Sequence, residues 1–407
     1  MVGAIRRTVA NQDSRERRDR GAEKPRVPFH EAASDRRELL ARAAALALSA
    51  SPLGALLTAC GGGGGETTGA QGGGGEPFKV GFVYLGPPGD AGWTFQHDQG
   101  RKYLEKKIPR VRTTAIENVP EANAGPALDQ LIAQGNKMIF ATSFGYGDAV
   151  LQRAKQHPDV IFEHCSGYRR AKNVATYYGV HWHAMYLIGL LAGRMTKSDR
   201  LGFVGSFPIP DVIVDANAFT LGARSVNASA TTKAVLINSW YDPPDEKQAA
   251  RSLIDAGADV LSGVEDSPSI LEEAAKHEGV YSATWNSDMR RFAPGAFVSA
   301  VVWDWGPYYV EQVRKAMNGS WKTHDFWGTP QDGTVKLAPP GEAVPGDVRG
   351  EFEEKYSALK RGDLDPFVGP IRDNKGKARV AEGKKMSFGD ILRWNWYVEG
   401  VQGSLPA

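Results

Sequence analysis

Two cysteines, Cys60 and Cys165, are all that 407 residues contain. That count excludes a disulfide framework, and neither residue sits in a Cys-x-x-Cys metal pattern. Histidine is scarce as well, at eight residues. His181 and His183 form a spaced pair, but zinc needs three or four converging ligands and no second short-spaced pair accompanies them. We expect no metal and no other cofactor. A basic excess is also missing from the body of the chain. Of 49 Lys/Arg and 47 Asp/Glu, the first 59 residues hold 11 and 7; the remainder has 38 and 40, so a formal charge of +2 becomes −2. Without a basic field, nucleic acid is not held by its phosphates. No Gly-x-Ser-x-Gly elbow occurs, Val204-Gly205-Ser206-Phe207 failing it, and no specific carboxylate-pair motif appears. The expectation is a binding protein rather than an enzyme.

What is present begins with an export signal. Arg36 and Arg37 precede an Ala/Leu-rich stretch over 39–59, interrupted at Arg42 and ending Leu57-Thr58-Ala59-Cys60. A charged segment, an apolar segment and small residues before the cut make a secretory signal, here over 1–59. The last four residues look like a lipobox, with the Cys60 thiol taking the lipid. Ser34 to Leu40 also resembles a twin-arginine signal. A single membrane span is the other reading of the apolar stretch; the Gly-rich run after it, without a basic stop-transfer cluster, argues against that. Gly61 to Gly65 and Gly72 to Gly75 make residues 60–77 a lipidated, flexible tether.

From Phe78 onward short apolar runs alternate with helical spacing. Lys79–Tyr84, Arg112–Glu117, Met138–Ala141, Leu201–Val204, Ala234–Ile237 and Val260-Leu261 read as strands. Thr94–Lys106, Ala124–Ala133, Asp148–Gln156, Val212–Arg224 and Glu246–Asp255 read as helices. Ala184–Met195 is apolar enough for a buried helix and too short to span a bilayer. Cys165 follows the strand-like Val160–His164 and reads as a buried structural thiol. Repeated βα units with apolar strands predict an α/β fold of parallel sheets flanked by helices, in two successive lobes.

Parallel sheets place ligand crevices at the carboxyl ends of their strands. Unusual residues gather at those ends: Tyr84 to Thr94, Ser143 to Asp148, Glu265 to Pro268 and Trp285 to Asp288. In Asp90-Ala91-Gly92-Trp93-Thr94-Phe95-Gln96-His97, the Trp either lays its face on a planar ligand or packs the lobe edge; the segment alone leaves both open. Ser143-Phe144-Gly145-Tyr146-Gly147-Asp148 offers glycines as a phosphate loop does, yet lacks its Lys, and Asp148 would repel an anion. It suits a neutral or cationic donor. Trp240 to Glu246 reads as a turn with a helix cap.

In order along the chain, Asp90, Trp93, Thr94 and Gly100 are followed by Phe144 to Asp148, Tyr177-Tyr178-Gly179 and Gly202-Phe203-Val204-Gly205. Asn217-Ala218-Phe219, Gly257-Ala258-Asp259-Val260, Asn286-Ser287-Asp288, Pro366 to Ile371 and Trp396 to Val401 come next. With these residues the chain from 78 to 403 resembles the basic membrane protein (BMP) family of ABC-transporter substrate-binding lipoproteins, which includes purine-nucleoside receptors. The resemblance implies a two-lobed type I periplasmic-binding fold whose lobes close on a ligand in the cleft between them. It places lobe 1 at 78–182 plus about 288–330 and lobe 2 at 183–287 plus about 331–405. A monomer is implied, tethered to the membrane by lipid outside the cytoplasm, with an ABC permease and ATPase as partners.

Carried over by position, Trp93 matches the family's base-stacking aromatic, Thr94 stands where a neighbouring Asn is usual, and Asp148 matches an acidic contact to the base. Asn286 falls where nucleoside binders use an Asp for the ribose hydroxyls. The cation those binders carry after the next strand is missing, the chain reading Ser299 to Trp305. A carboxylate bonds sugar hydroxyls more strongly than an amide does. Losing it and the cation while gaining Trp303 and Trp305 favours a free purine base such as adenine ahead of a nucleoside. The expected ligand shell is completed by Tyr84, Asp90, His97, Phe144, Tyr146, Asn217, Asp266 and Asp288.

Overall fold

Phe78–Val83 (β1) turns four consecutive buried residues into its sheet, and Met138–Ala141 (β3) is buried throughout. Strands covered on both faces belong in a parallel sheet, and that is where they lie. A computed structural model of the chain describes residues 76–89 and 91–405. The expected signal, Cys60, the start of the tether and Asp90 fall outside the described residues. In the first sheet β1 pairs with Val111–Ile116 (β2) and β3, and β3 with Ile161–Cys165 (β4). Val174–Gly179 (β5) and Asp325–Gly328 (β11) complete it, all parallel. Trp93–Lys107 (α1), Ala124–Ala133 (α2) and Gly147–Gln156 (α3) connect its strands. Cys165 is free and buried, and burial pushes its thiol up, as befits an inert side chain.

After β5 the chain enters Trp182–Met195 (α4) and a second sheet. Its parallel strands are Arg200–Gly205 (β6), Thr231–Leu236 (β7), Val260–Gly263 (β8), Tyr281–Thr284 (β9) and Phe297–Trp303 (β10). Val335–Leu337 (β12) adds antiparallel to β10, and Val401–Gln402 (β15) adds parallel to β7. The linking helices are Pro210–Val226 (α5), Pro243–Asp255 (α6) and Ser269–Ala274 (α7). The helix α6 begins as expected, with the Asp242 carboxylate accepting from the Asp245 N–H. Helices α4 and α5 touch backbone to backbone. A Cβ on Gly189 would stand 2.0 Å from the Phe219 carbonyl oxygen, and one on Gly222 would stand 1.9 Å from that of Tyr186.

One boundary differs from the expectation. The return to the first lobe, expected near 288, comes later, because the apolar strand β10 extends the second sheet. Only after Trp303 does the chain reach Gly306–Met317 (α8), which packs on α1, and then β11. It crosses back before β12, giving three crossings in all. The C-terminal part adds Gly346–Arg361 (α9), packed on α4, a short hairpin of Ile371–Arg372 (β13) and Ala378–Val380 (β14), and the single turn Phe388–Ile391 (α10). Among the described residues no helix is long and apolar enough to cross a membrane.

Candidate ligand-binding site

The carboxyl ends of both sheets face a cavity of about 360 Å3, within the size of small-molecule sites. From the first lobe Trp93, Phe144, Tyr168, Tyr178 and Trp327 line it; from the second come Trp240, Trp285, Val264 and three carboxylates, Asp211, Asp215 and Asp266. Trp182 opens α4 at the first crossing, and Ile391 and Leu392 of the C-terminal segment close one side. Among the described residues, no Lys or Arg lines it.

Trp93 is fixed from behind. Its Nε1–H donates to the Thr142 carbonyl at 2.6 Å, and its ring meets the edges of Trp303 and Trp305 at 5.7 and 5.9 Å. Those two indoles stack on one another at 4.9 Å and 12°, and both are fully buried. A Trp held on three sides presents its remaining surface with little rotamer freedom left to lose.

The lobes touch beside this ring. A Cβ on Gly92 would lie 2.3 Å from the Asp266 carbonyl oxygen, so the approach requires a glycine. The Ser287 hydroxyl donates to the Ala91 carbonyl across the same gap. Asp266 is held in place in turn. The Asn286 amide donates to Asp266 Oδ1 at 2.7 Å and accepts from Trp303 Nε1 at 2.8 Å. Asn286 adopts φ 69, a left-handed conformation that Asn tolerates better than most residues.

Several expected ligand residues are thus supports. Asn286 and Trp303 are buried behind Asp266 and Trp93 instead of lining the cavity. Thr94 Oγ1 accepts from the Gly86 N–H, bracing the first loop. Tyr84 lies in the core of the first lobe, and the Tyr146 hydroxyl donates to the Val119 carbonyl. His97 is buried, stacked on Trp305 at 5.2 Å and bonded to Tyr309; burial pushes its imidazole well down, so it is neutral. Asn217 clamps the C-terminal segment, donating to the Trp396 carbonyl and accepting from the Val398 N–H. Asp148 is exposed and paired with Arg169, and Asp288 is paired with Arg290. Proximity of a segment to a strand end brings a residue near the cleft, while side-chain direction decides whether it enters; Asn217, in mid-helix, faces the C-terminal segment instead. Of the expected shell, Trp93, Phe144 and Asp266 line the cavity.

A cluster not anticipated from the sequence stands opposite. His181 is fully buried between two carboxylates, with Nδ1 2.9 Å from Asp215 Oδ1 and Nε2 2.9 Å from Asp211 Oδ1. The Tyr178 hydroxyl donates to Asp211 Oδ2 at 2.9 Å. Burial alone would lower the imidazole, but Asp215 and Asp211 outweigh it and hold His181 up to about 10. Burial raises Asp215 to about 6 against the opposing pull of His181. Glu265, beside Asp266 in the chain, is pushed well up by burial first and by Glu246 next. The signal for the cluster was present as two acids four apart, Asp211 and Asp215, on either side of the apolar run Val212-Ile213-Val214.

The Bmp family model, described as ABC transporter substrate-binding protein PnrA-like, matches residues 78–348. The chain is 41% identical over 333 residues to a purine-binding protein of Brucella abortus, covering 81% of this chain and 95% of that one. It is 34% identical to a Haloferax volcanii protein named as a candidate ABC transporter glucose-binding protein, over 82% of each. Among solved structures, an ABC transporter solute-binding protein from Aeropyrum pernix K1 matches with a TM-score of 0.62 at 16% identity, covering 72% of this chain and 94% of that one, a likeness of fold. Because the match runs from β1 through both sheets into α9, this chain belongs to the Bmp family of PnrA-like ABC transporter substrate-binding proteins.

Proposed function

We propose that the protein captures a neutral purine, a free base such as adenine ahead of a nucleoside, and presents it to the permease of an ABC importer. The observation that carries this is the cavity's lining: indole and phenol rings with three carboxylates and no cation. Flat rings offer stacking area to a planar heterocycle, and carboxylates accept its N–H groups. Phosphorylated or carboxylated solutes would meet uncompensated like charge, so nucleotides are disfavoured. The name of the Brucella abortus relative supports the same class. The lack of a cation among the described lining residues, where nucleoside binders of the family are expected to carry one, supports the base over the nucleoside.

The name of the Haloferax volcanii relative favours a second reading, a sugar, whose C–H faces also stack on indoles and whose hydroxyls also donate to carboxylates. Members of this family act outside the cytoplasm; for this chain we add a lipid on Cys60, a tether to residue 77 and a monomeric body. Mass spectrometry of ligand retained through gentle purification, followed by calorimetry with adenine, adenosine and glucose, tests the reading. Recovery of adenine with tight rebinding is expected. Glucose alone in both experiments would replace the purine reading, and chemical turnover of the bound solute would replace capture by catalysis.

A further inference from the structure

The mouth of the cavity and its ring-lined wall are accounted for by stacking; the buried imidazole between two acids is not. Asp211 and Asp215 are four residues apart on α5 and so share a face of that helix. The glycine contacts between α4 and α5 bring His181, the residue just before α4, onto that face. Both ring nitrogens stand 2.9 Å from carboxylate oxygens that can only accept. With both acids ionised, a neutral imidazole would have one donor and would oppose its other lone pair to an oxygen, so the ionised pair requires the imidazolium. Two ionised acids in an aromatic cavity would otherwise meet both mutual repulsion and desolvation, and one would take up a proton.

The oxygens are not used alike. Asp211 accepts from His181 on Oδ1 and from Tyr178 on Oδ2, whereas Asp215 accepts from His181 on Oδ1 and, among the described residues, from no donor on Oδ2. Asp215 lines the cavity while being 1% exposed. Tyr178 and His181 flank the first crossing between the lobes, so the cluster ties the cavity wall to the hinge.

We infer that Asp215 Oδ2 is the acceptor reserved for a ligand N–H, and that protonated His181 is the positioning residue that keeps this acid ionised and aimed. The inference rests on the proposed purine reading and deepens it. A carboxylate kept charged in an enclosed site selects solutes that place an N–H donor there, and it penalises those that place a lone pair there.

The groups facing the imidazole are Asp211 and Asp215 from α5; Tyr178 from β5 reaches Asp211, and His183 follows on α4 with its own imidazole pushed down by burial to about 4. Calorimetry with adenine on the full chain, between about pH 7 and pH 9, tests the assignment. Wild type should bind with constant affinity. Asp215→Asn should lose about tenfold or more, as an amide can present its N–H instead of an acceptor. His181→Gln should lose about as much near pH 7 and recover as pH rises, because without the imidazolium a proton enters the acid pair at the lower pH. A purely structural role for His181 would not create that pH slope.

Both variants within about twofold of wild type, with flat profiles, would overturn the assignment while wild-type adenine binding upheld the purine reading. Loss in Asp215→Asn alone would remove the role given to His181. Failure of wild type to bind adenine, hypoxanthine, guanine or adenosine removes the purine reading and this one with it. Should either variant fail to fold, wild type alone decides: affinity should drop as pH falls below about 6 and Asp215 takes a proton, and unchanged affinity at about pH 5 overturns the proposal.

Discussion

The wall that the first lobe gives the cavity and the wall that the second gives differ in kind. Among the described residues the first lobe gives Trp93, Phe144, Tyr168, Tyr178 and Trp327 and no carboxylate, while the second adds only Trp240 and Trp285 to the rings. All three lining acids, Asp211, Asp215 and Asp266, come from the second. Stacking area is non-directional and tolerates small rotations of a ligand, whereas a hydrogen bond to a fixed oxygen does not. A division of this sort suits a protein that closes. On the proposed reading the ring face would hold a solute while the lobes are apart, and the acids would complete recognition on closure, with Gly92 against Asp266 as it stands in this structure.

Removing the ring wall should have the largest effect. Trp93→Ala is expected to weaken purine binding about tenfold to a hundredfold in calorimetry, with the fold retained in circular dichroism, since it deletes buried stacking area. Unchanged affinity would take Trp93 out of the site. Blocking closure should come next. In Gly92→Ala the new methyl collides with the Asp266 carbonyl, so affinity should fall by about tenfold and small-angle scattering should show the liganded protein staying expanded. An unchanged scattering radius on ligand addition, identical to wild type, would show that closure does not run through this contact.

A stability measurement without ligand sharpens the contrast between the walls. The raised imidazole of His181 stabilises the fold fully below its unfolded value near 6.5 and loses that contribution as pH climbs through about 10. The raised acid of Asp215 acts with the same sign, but its contribution is gone once pH passes about 6. The melting temperature should therefore fall from pH 7 toward 10, and less so in His181→Gln. Equal slopes in the two proteins would contradict the imidazolium. The smallest change is expected at Asp148, whose exposed carboxylate pairs with Arg169 away from the cavity. Asp148→Ala should leave purine affinity within about twofold, as surface ion pairs contribute little; a tenfold loss would return Asp148 to the site.

Much of the scaffold was legible because burial on both faces leaves unbroken apolar runs. Met138–Ala141 and Ala124–Ala133 fall where the spacing places them. The strand β7 begins three residues earlier than Ala234, since Thr231–Lys233 carry a polar pattern that pairing with β6 overrides. The strand β10 was assigned to the wrong lobe, because sequence order does not say which sheet edge a strand will join. The first loop by itself left open whether Trp93 faces a ligand or packs the lobe edge; the family resemblance put it at the cleft, and it does line the cavity. Asn286 and Trp303 were legible as unusual residues but not as supports, since a side chain one layer behind a cavity has the same sequence context as one lining it.

Sequence alone determined the alternation of strands and helices, the rings at the strand ends and the absence of a cationic patch, because these follow from local pattern and composition. Only the tertiary structure decided which acids enter the cavity. Asp211 and Asp215 came together at the cavity wall with His181 between them where α4 and α5 pack closely, while Asp148 stands exposed, paired with Arg169. Local pattern fixes which segments become helix or strand, though pairing can move an end, as in β7. The direction a charged side chain takes is set by its partners, and those partners are distant in the chain.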